Sequence, residues 1–416
     1  MTRRLAATVS LLLVGVLLVA VAPGLVGCGD NGGGGGKVEI IIGYEGDWTG
    51  PAAPGAAEYG GGLLDYLKWT NEENPIPGIK LTVKSYDTRS DYSRVPIGYA
   101  WLKGQGMDVF VAPSSADMDI NYDKLEQDQF PGFSTTSLLS IRDAKWAFWL
   151  FETMEGQNEF LMDWVATKAW DYTTKDRNPK VAFVGWSGLI TAEGSLDGVE
   201  LYYEAHQDKF DWQGSHMAAI GNVNWSSEAQ KLADCDYIVL GTIGAGTASL
   251  IKEFRQRGFA GDMLSCSSPL TGWWNLITAS VQADQLYGQY TSQQMPWFSD
   301  NAFTQFCRTL ALKYHSQDWV DTAFKQSSYY TGPAWGMMVV YAIRKAAEEV
   351  GPENIDSEAI RAAAESLDLD MTADGWAIPW KLGPDNHVAT DTTEIILTWD
   401  VATQKWVAVT DYYAYP

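Results

Sequence analysis

Cysteine and histidine are scarce in this sequence. Its 416 residues include four of each. No two cysteines form a CxxC pair, and no two histidines lie at a spacing typical of metal ligands. The histidines are scattered singly along the chain: His206, His216, His315 and His387. We therefore predict that the protein holds no metal ion.

Signatures of catalysis are also lacking. The sequence contains no P-loop, no HExxH motif and no GxGxxG motif between a strand and a helix. Residues 185–188 (GWSG) follow a predicted strand but lack the GxSxG spacing of a nucleophile elbow. Glycines at 244 and 246 are more typical of a turn than of a phosphate cradle. A hydrolase needs a nucleophile and a base, which single histidines do not provide. We predict no enzymatic activity and no cofactor.

Basic residues are fewer than acidic residues in this sequence. The chain has 29 Lys and Arg residues against 52 Asp and Glu residues, a formal net charge of −23. This excess argues against binding to nucleic acid or to an anionic lipid surface. It favours solubility outside the cell.

Long apolar runs are confined to the N-terminus. Arg3 and Arg4 precede a nearly continuous apolar run over residues 5–21, which is typical of a secretory signal. The run approaches the length of a membrane span, so a retained anchor is the alternative. The tetrad LVGC at 25–28 resembles a lipobox, in which the cysteine is lipidated and becomes the mature N-terminus. We predict a signal peptide over residues 1–28 and lipidation of Cys28.

Residues 29–37 contain five consecutive glycines and predict a flexible tether. The rest of the chain is then held by its lipid at the extracytoplasmic face of the cell membrane, in the cell envelope or periplasm. An exported compartment permits a disulfide. With Cys28 lipidated, Cys235, Cys266 and Cys307 remain, and Cys235 with Cys266 is one pairing among them.

Strand and helix patterns alternate through the chain, which predicts an α/β fold with parallel sheets. The first unit is a β-branched run at 38–42, a turn cluster at 43–54 and an amphipathic helix at 56–71. Ligands of such sheets bind at the carboxyl ends of strands. Trp48 lies in the first of these loops, between Asp47 and Thr49. It either forms a wall for a solute or packs over the edge of the sheet.

Further elements follow in the same alternation. Strands are predicted at 79–86, 108–112, near 133, and at 180–185, 236–241 and 262–266, and helices at 95–103, 160–170, 195–209, 248–257 and 329–350. A β-hairpin over 395–409 is predicted to close the fold.

Two strand ends in succession carry hydroxyl groups. Ser114 and Ser115 follow the strand at 108–112, and Thr136 and Ser137 follow the strand near 133. Hydroxyls beside the amides of a helix N-terminus suit an anion or a carboxylate. Capping of a helix by serine or threonine is the alternative for each pair.

The order of several short segments resembles a known family. These segments are GPAA at 50–53, APSS at 112–115, the hydroxyl-bearing loop at 134–138, the helix at 333–347 and the turn WKLGPD at 380–385. From residue 38 to the C-terminus the chain looks like a periplasmic solute-binding protein of ABC importers, of the leucine/isoleucine/valine-binding type (type I periplasmic binding fold).

The resemblance implies two Rossmann-like lobes with parallel sheets, joined by three crossovers, with the ligand enclosed between them. Lobe 1 is then expected to comprise residues 38–148 and 291–385, and lobe 2 residues 149–290 and 386–416. The ligand-binding residues implied by the resemblance come from both lobes: Trp48, Ser114, Ser115, Thr136, Ser137, Trp186, Thr242 and Ser267.

The sequence departs from the family at two positions. Amino-acid binders of this type hold the ammonium with an acidic residue after the strand that here ends at Cys266, where this chain has Ser267 and Ser268. They also supply a tyrosine in the loop that here spans 188–192. Because a buried cation without an acidic partner is costly, we expect a neutral or carboxylated ligand with aromatic character rather than a simple α-amino acid.

These inferences favour a monomeric lipoprotein that captures a small molecule, amino-acid-like, carboxylate or aromatic, for the permease of an ABC importer. A ligand sensor of the same fold that feeds a signalling partner is the first alternative. An exported hydrolase is the second.

Overall fold

A computed structural model describes residues 37–390 and 393–415. The predicted signal peptide, Cys28 and the tether up to residue 36 lie outside the described residues. Among the described helices, none is long and apolar enough to cross a membrane. The same residues contain no cluster of histidine, cysteine or acidic side chains suited to a metal ion.

The first lobe is built on a five-stranded parallel sheet with strand order β2-β1-β3-β4-β5. Its strands are β1 (Val38–Gly46), β2 (Ile79–Asp87), β3 (Val109–Ala112), β4 (Gly132–Thr136) and β5 (Ala147–Phe151). The connecting helices are α1 (Ala53–Glu73), α2 (Val95–Gly104) and α3 (Ser115–Asp128). The central strands β3 and β4 are buried throughout because both faces of the sheet are covered.

The second lobe is built on a larger sheet with strand order β14-β13-β10-β9-β8-β6-β7, to which β15 adds by pairing with β13. Its first part comprises α4 (Met154–Trp164), β6 (Lys180–Ser187), α5 (Ile190–Ala205), β7 (Asp211–Ala219), α6 (Ser226–Lys231), β8 (Tyr237–Gly241), α7 (Ala245–Gln256), β9 (Asp262–Ser265), α8 (Ser267–Thr271), α9 (Trp274–Ser280) and β10 (Gln289–Gln293). Strands β6 to β10 pair in parallel, as the strand–helix alternation predicts.

The chain then returns to the first lobe with a group of helices and a short strand pair. These are α10 (Ala302–Tyr314), α11 (Gln317–Ala323), α12 (Ser328–Val350), α13 (Ser357–Ala364), β11 (Asp368–Leu369) and β12 (Trp380–Lys381). It ends in the second sheet with β13 (Thr393–Asp400), β14 (Lys405–Ala408) and β15 (Tyr413–Ala414). Strands β13 and β14 pair antiparallel, which confirms the predicted closing hairpin.

The chain therefore passes between the two sheets three times: after β5, after β10 and between β12 and β13. This is the two-lobed α/β architecture expected from the sequence. Strands β5 and β10 lie whole in the first and second sheets respectively, so the expected lobe limits at 148/149 and 290/291 fall inside strands.

Helices α1 and α12 cross closely because two glycines face each other. A Cβ atom placed on Gly332 would lie 2.4 Å from the backbone nitrogen of Leu63 and 2.5 Å from the carbonyl oxygen of Tyr59. A Cβ atom on Gly62 would lie 2.5 Å from the carbonyl oxygen of Tyr329. The backbones approach to a distance that only glycine allows.

Cys235, Cys266 and Cys307 are buried free thiols. The pairing of Cys235 with Cys266 that the sequence left open is therefore not formed. Burial raises the pKa of the Cys266 thiol to about 12, which keeps this side chain in the unreactive thiol form.

Candidate ligand-binding cavity

A cavity of about 360 Å³ lies between the two lobes. Its first-lobe wall is formed where β1, β2, β3 and β4 end, and its second-lobe wall where β6, β8 and β9 end. The carboxyl ends of parallel strands thus converge on one space from both sides, as open α/β sheets predict. This is the size of site that suits one small organic molecule.

Four of the eight predicted site residues line this cavity: Ser114, Ser115, Thr136 and Trp186. Ser114 is the N-cap of α3, and its hydroxyl accepts a hydrogen bond from the amide of Ala116 at 3.2 Å. The hydroxyls of Ser115 and Thr136 have no hydrogen-bond partner within the described part of the chain. These two hydroxyls are therefore available to a ligand.

Trp186 lies at the end of β6, and its side chain is fixed by a hydrogen bond and by packing against α7. Its indole nitrogen donates to the carbonyl of Asn222 at 2.8 Å. Its ring packs so closely on α7 that a Cβ atom on Gly246 would lie 2.2 Å from it. The ring is a fixed part of the cavity wall.

The other four predicted residues lie outside the lining. Trp48 donates its indole N–H to the hydroxyl of Ser85 and packs against the ring of Tyr44, with the ring centroids 5.2 Å apart. Thr242 shares a hydrogen bond of 3.0 Å with the hydroxyl of Thr247. Both side chains serve local packing or turn geometry.

Ser137 and Ser267 also lie outside the lining of the cavity. Ser137 is fully buried, and its carbonyl accepts a hydrogen bond from the amide of Met154 at 2.9 Å. The Ser267 hydroxyl donates to the side-chain oxygen of Gln157 at 3.2 Å. These serines support the strand ends behind the cavity.

The charged side chains of the cavity wall are all acidic. The lining contains Asp47, Asp91 and Asp117, and no lysine, arginine or histidine among the described residues. Asp47 accepts hydrogen bonds from the hydroxyl of Thr88 at 2.7 Å and from the amide of Ser90. Local hydrogen bonds thus hold this carboxylate at the end of β1.

Asp91 lies at the exposed rim of the cavity. It accepts hydrogen bonds from the amide and the hydroxyl of Ser93, at 2.9 and 2.7 Å. These bonds lower the pKa of the Asp91 carboxyl below its usual range. Asp91 is therefore ionised at neutral pH.

Asp117 differs from the other two acids. It lies in the first turn of α3, it is only 5% exposed, and its carboxyl group has no hydrogen bond or ion pair within the described residues. Burial, with a contribution from the negative charge of Asp47, raises the pKa of Asp117 well above its usual range.

Four aromatic side chains complete the wall: Tyr59 and Tyr92 from the first lobe, and Trp186 and Trp273 from the second. The ring centroids of Tyr59 and Trp273 lie 6.3 Å apart. The indole N–H of Trp273 donates to the carbonyl of Ala52 at 3.1 Å. The two lobes are thus in direct contact at the edge of the cavity.

The turn that contains Trp273 makes further contacts with the first-lobe helices. Thr271 shares a hydrogen bond of 2.9 Å with the hydroxyl of Ser327. The amide of Asn275 donates to the side-chain oxygen of Gln326 at 2.9 Å. The second lobe is therefore in direct contact with the segment that joins α11 to α12.

A second cavity of about 640 Å³ lies elsewhere, beside the closing hairpin. Its wall includes Trp274, Trp399 and Trp406, whose rings pack edge to face. This cavity is larger, but it does not lie at the carboxyl ends of the parallel strands. The interlobe cavity is therefore the candidate site.

Sequence reasoning did not assign Tyr59, Tyr92 or Asp117 to the site. Asp117 follows the predicted Ser114–Ser115 pair by two residues, which places it on the same helical turn. This spacing is the feature of the sequence that could have assigned Asp117 to the site. No local pattern brings Tyr59 and Trp273 together, because they are more than 200 residues apart in the chain.

Comparisons with known proteins agree with this architecture. A family model described as "Periplasmic binding protein" matches residues 39–397. No curated protein sequence matches the chain.

Solved structures with a similar fold include a branched-chain amino acid ABC transporter protein from Thermus thermophilus with bound valine. It is 16% identical, with a TM-score of 0.78, over 91% of this chain and 97% of that chain. A fatty acid ABC transporter substrate-binding protein from Thermomonospora curvata is 17% identical, with a TM-score of 0.76, over 91% and 94%. A solute-binding protein from R. palustris in complex with benzoate is 14% identical, with a TM-score of 0.68, over 91% and 98%. At these identities the likeness shows a shared fold.

Proposed function

The chain belongs to the periplasmic binding protein family, and from this premise we propose that it is a receptor that captures one small solute between its lobes and delivers it to an ABC permease. The observation that carries the proposal is the interlobe cavity of about 360 Å³, whose wall comes from strand ends of both lobes. A ligand in this position contacts both lobes and so stabilises the closed arrangement over an open one.

The receptor is held at the extracytoplasmic face of the membrane by a lipid on Cys28. The lipobox-like tetrad at 25–28 and the glycine-rich segment after it support this part of the proposal. A tether of this composition lets the folded chain reach a permease in the same membrane. The protein acts as a monomer and needs no metal ion or cofactor.

The ligand has an aromatic or otherwise apolar body. The side chains of Tyr59, Tyr92, Trp186 and Trp273 support this inference, because aromatic walls bury the apolar surface of a ligand. The free hydroxyls of Ser115 and Thr136 provide polar contacts that fix its orientation. A carboxylate, the alternative favoured by the serine and threonine motifs alone, would have to lie beside three aspartates.

The proposal is tested with the full chain purified in detergent. Its melting temperature is measured against a panel of small amines, amides, carboxylates and amino acids, and any co-purified solute is released by denaturation and identified by mass spectrometry. A ligand that binds only the closed form raises the melting temperature by mass action. Failure of every compound class to raise it, with no solute released, would contradict a receptor function.

Reduced uptake of the identified solute by cells that lack the protein distinguishes a transport receptor from a sensor. Unchanged uptake with an altered signalling response would favour the sensor.

A further inference from the structure

We propose that the ligand is an organic cation, an ammonium group on an apolar body, and that Asp117 is its counter-ion. This proposal rests on the receptor function and names the class of solute. It starts from the wall of the interlobe cavity, in which Asp47, Asp91 and Asp117 are the acidic groups and no described residue supplies a positive charge.

The carboxyl group of Asp117 lacks the partner that a buried acid normally has. A comparison within the same lobe shows the contrast. Asp65 is 8% exposed, and it accepts hydrogen bonds from His315 at 2.7 Å and from Tyr329 at 2.8 Å. Asp117 is 5% exposed and has no such bond, although it borders a cavity large enough for a solute. An ammonium group in the cavity would supply the missing donor and the missing charge.

A second buried acid, Glu45, lies against the same helix as Asp117. Glu45 lies in β1 with no exposed surface, and its one bonded oxygen accepts from the amide nitrogen of Asn121 at 2.8 Å. Burial and the charge of Asp117 raise the pKa of Glu45 to about 10. Glu45 is therefore neutral at neutral pH, and it offers a ligand carboxylate no positive partner.

The aromatic residues of the wall favour the same class of ligand. Tyr92 lines the same cavity as Asp117, and burial together with the negative charge of Asp117 raises the pKa of its hydroxyl. Trp186 faces the cavity from the second lobe. Aromatic faces attract organic ammonium groups and also bury their apolar substituents.

Among the described residues of the lining, the acids come from the first lobe alone. The loop after β9 carries Ser267, and the Ser267 hydroxyl is engaged with Gln157. Asp117 supplies an acid from the first turn of α3 instead. This position is where a ligand carboxylate would otherwise meet the helix N-terminus, so we infer an amine without a carboxylate.

The experiment compares four compounds of similar size with different charge: 2-phenylethylamine, phenylacetamide, phenylacetate and phenylalanine. Isoamylamine, isovaleramide, isovalerate and leucine repeat the series on an aliphatic body. Each is tested for its effect on the melting temperature of the full chain, and binding compounds are then titrated calorimetrically. We expect the amines to raise the melting temperature and to bind at least tenfold more tightly than the matched amides, with no binding of the carboxylates.

Two variants of α3 test the role of Asp117. Asp117→Asn removes the charge with little change of shape, and we expect it to weaken amine binding at least tenfold. Asp123→Asn removes the same charge from an exposed position of the same helix, and we expect binding within twofold of the wild type. Because Asp117→Asn removes a buried acid without a partner, the melting temperature of the empty chain should not fall.

The outcomes separate the two proposals. Stabilisation by the carboxylates, amides or amino acids equal to or greater than that by the amines would overturn the cationic ligand while leaving the receptor function in place. Equal amine binding by Asp117→Asn and the wild type would overturn the counter-ion role. No stabilisation by any class would overturn the cationic ligand, and it would overturn the receptor function as well if denaturation of the purified chain also released no solute.

Discussion

The indole N–H of Trp273 donates a hydrogen bond to the backbone carbonyl of Ala52 at 3.1 Å, and this bond joins the second lobe to the first at the edge of the cavity. The same carbonyl accepts the first helical bond of α1, from the amide of Ala56 at 3.0 Å. The contact therefore links the closure of the lobes to the start of a rigid helix. Its loss should affect closure more than folding.

Replacing Trp273 by phenylalanine should weaken ligand binding about three- to tenfold. The change removes one interlobe hydrogen bond, worth about 1 kcal/mol, while an aromatic ring remains against Tyr59. Calorimetric titration with the compound that most stabilises the wild type measures the effect. Trp101→Phe, at a 41% exposed position outside the cavity, is the control. Unchanged affinity in Trp273→Phe would show that this bond does not contribute to closure.

The crossing of α1 and α12 should tolerate no side chain at Gly332. We expect Gly332→Ala to lower the free energy of unfolding by about 2 kcal/mol or more, because the added methyl meets backbone atoms of α1 that cannot move independently. A Cβ atom on Gly61 meets nothing within 4 Å, so Gly61→Ala should be neutral or stabilising by up to about 1 kcal/mol. Urea denaturation compares the two. Equal effects of both substitutions would contradict the close crossing.

The stability of the empty chain should fall as the pH rises from about 4.5 to 7. Burial raises the pKa of Glu155 from 4.5 to about 7. A raised carboxyl pKa contributes stability that is fully present below the unfolded value and is lost as the pH rises through the folded value. We expect Glu155→Gln to remove part of this dependence, on the order of 2 kcal/mol.

The exposed Glu204 is the control for this measurement, because Glu204→Gln makes the same change of charge away from the core. Its urea midpoints between pH 5 and 7.5 should follow those of the wild type. A Glu155→Gln curve parallel to both would show that Glu155 does not titrate in this range.

Replacing Cys28 by alanine should abolish lipidation of the protein. The lipid is expected on this thiol because Cys28 is the cysteine of the lipobox-like tetrad at 25–28. Cells grown with labelled palmitate should incorporate label into the wild type and not into Cys28→Ala. Cys235→Ala, which changes a buried free thiol, should retain the label. Label in Cys28→Ala would contradict the proposed anchor.

The fold was predictable from the sequence where strands are apolar and fully buried. Strands β3 and β8 are short runs of apolar residues bounded by turns, and their patterns alone indicate their type. Strand β7 was missed because it lies at the edge of the second sheet and is partly exposed along its length. Strand β10 was missed because its sequence, QYTSQ, is mostly polar although it is largely buried. Its burial comes from tertiary neighbours.

The site was predictable only in part, for a related reason. Strand ends can be located from the sequence, and this placed Ser115 and Thr136 at the cavity. Which side chain at a strand end turns toward the ligand depends on local bonds, such as the one between Thr242 and Thr247. The role of Trp273 depends on lobe closure, which leaves no local pattern.

The central claim, that one solute binds between the lobes, is tested most directly by filling the cavity. Ala245 is an exposed residue of its second-lobe wall, so Ala245→Trp obstructs the cavity without disturbing the core. Ala205→Trp makes the same change at an exposed position of α5 outside it.

The full-length wild type and both variants are titrated calorimetrically with the most stabilising compound of the panel. We predict one molecule bound per chain, binding at least tenfold weaker in Ala245→Trp, and binding within twofold of the wild type in Ala205→Trp. Wild-type affinity in Ala245→Trp would show that the solute binds elsewhere.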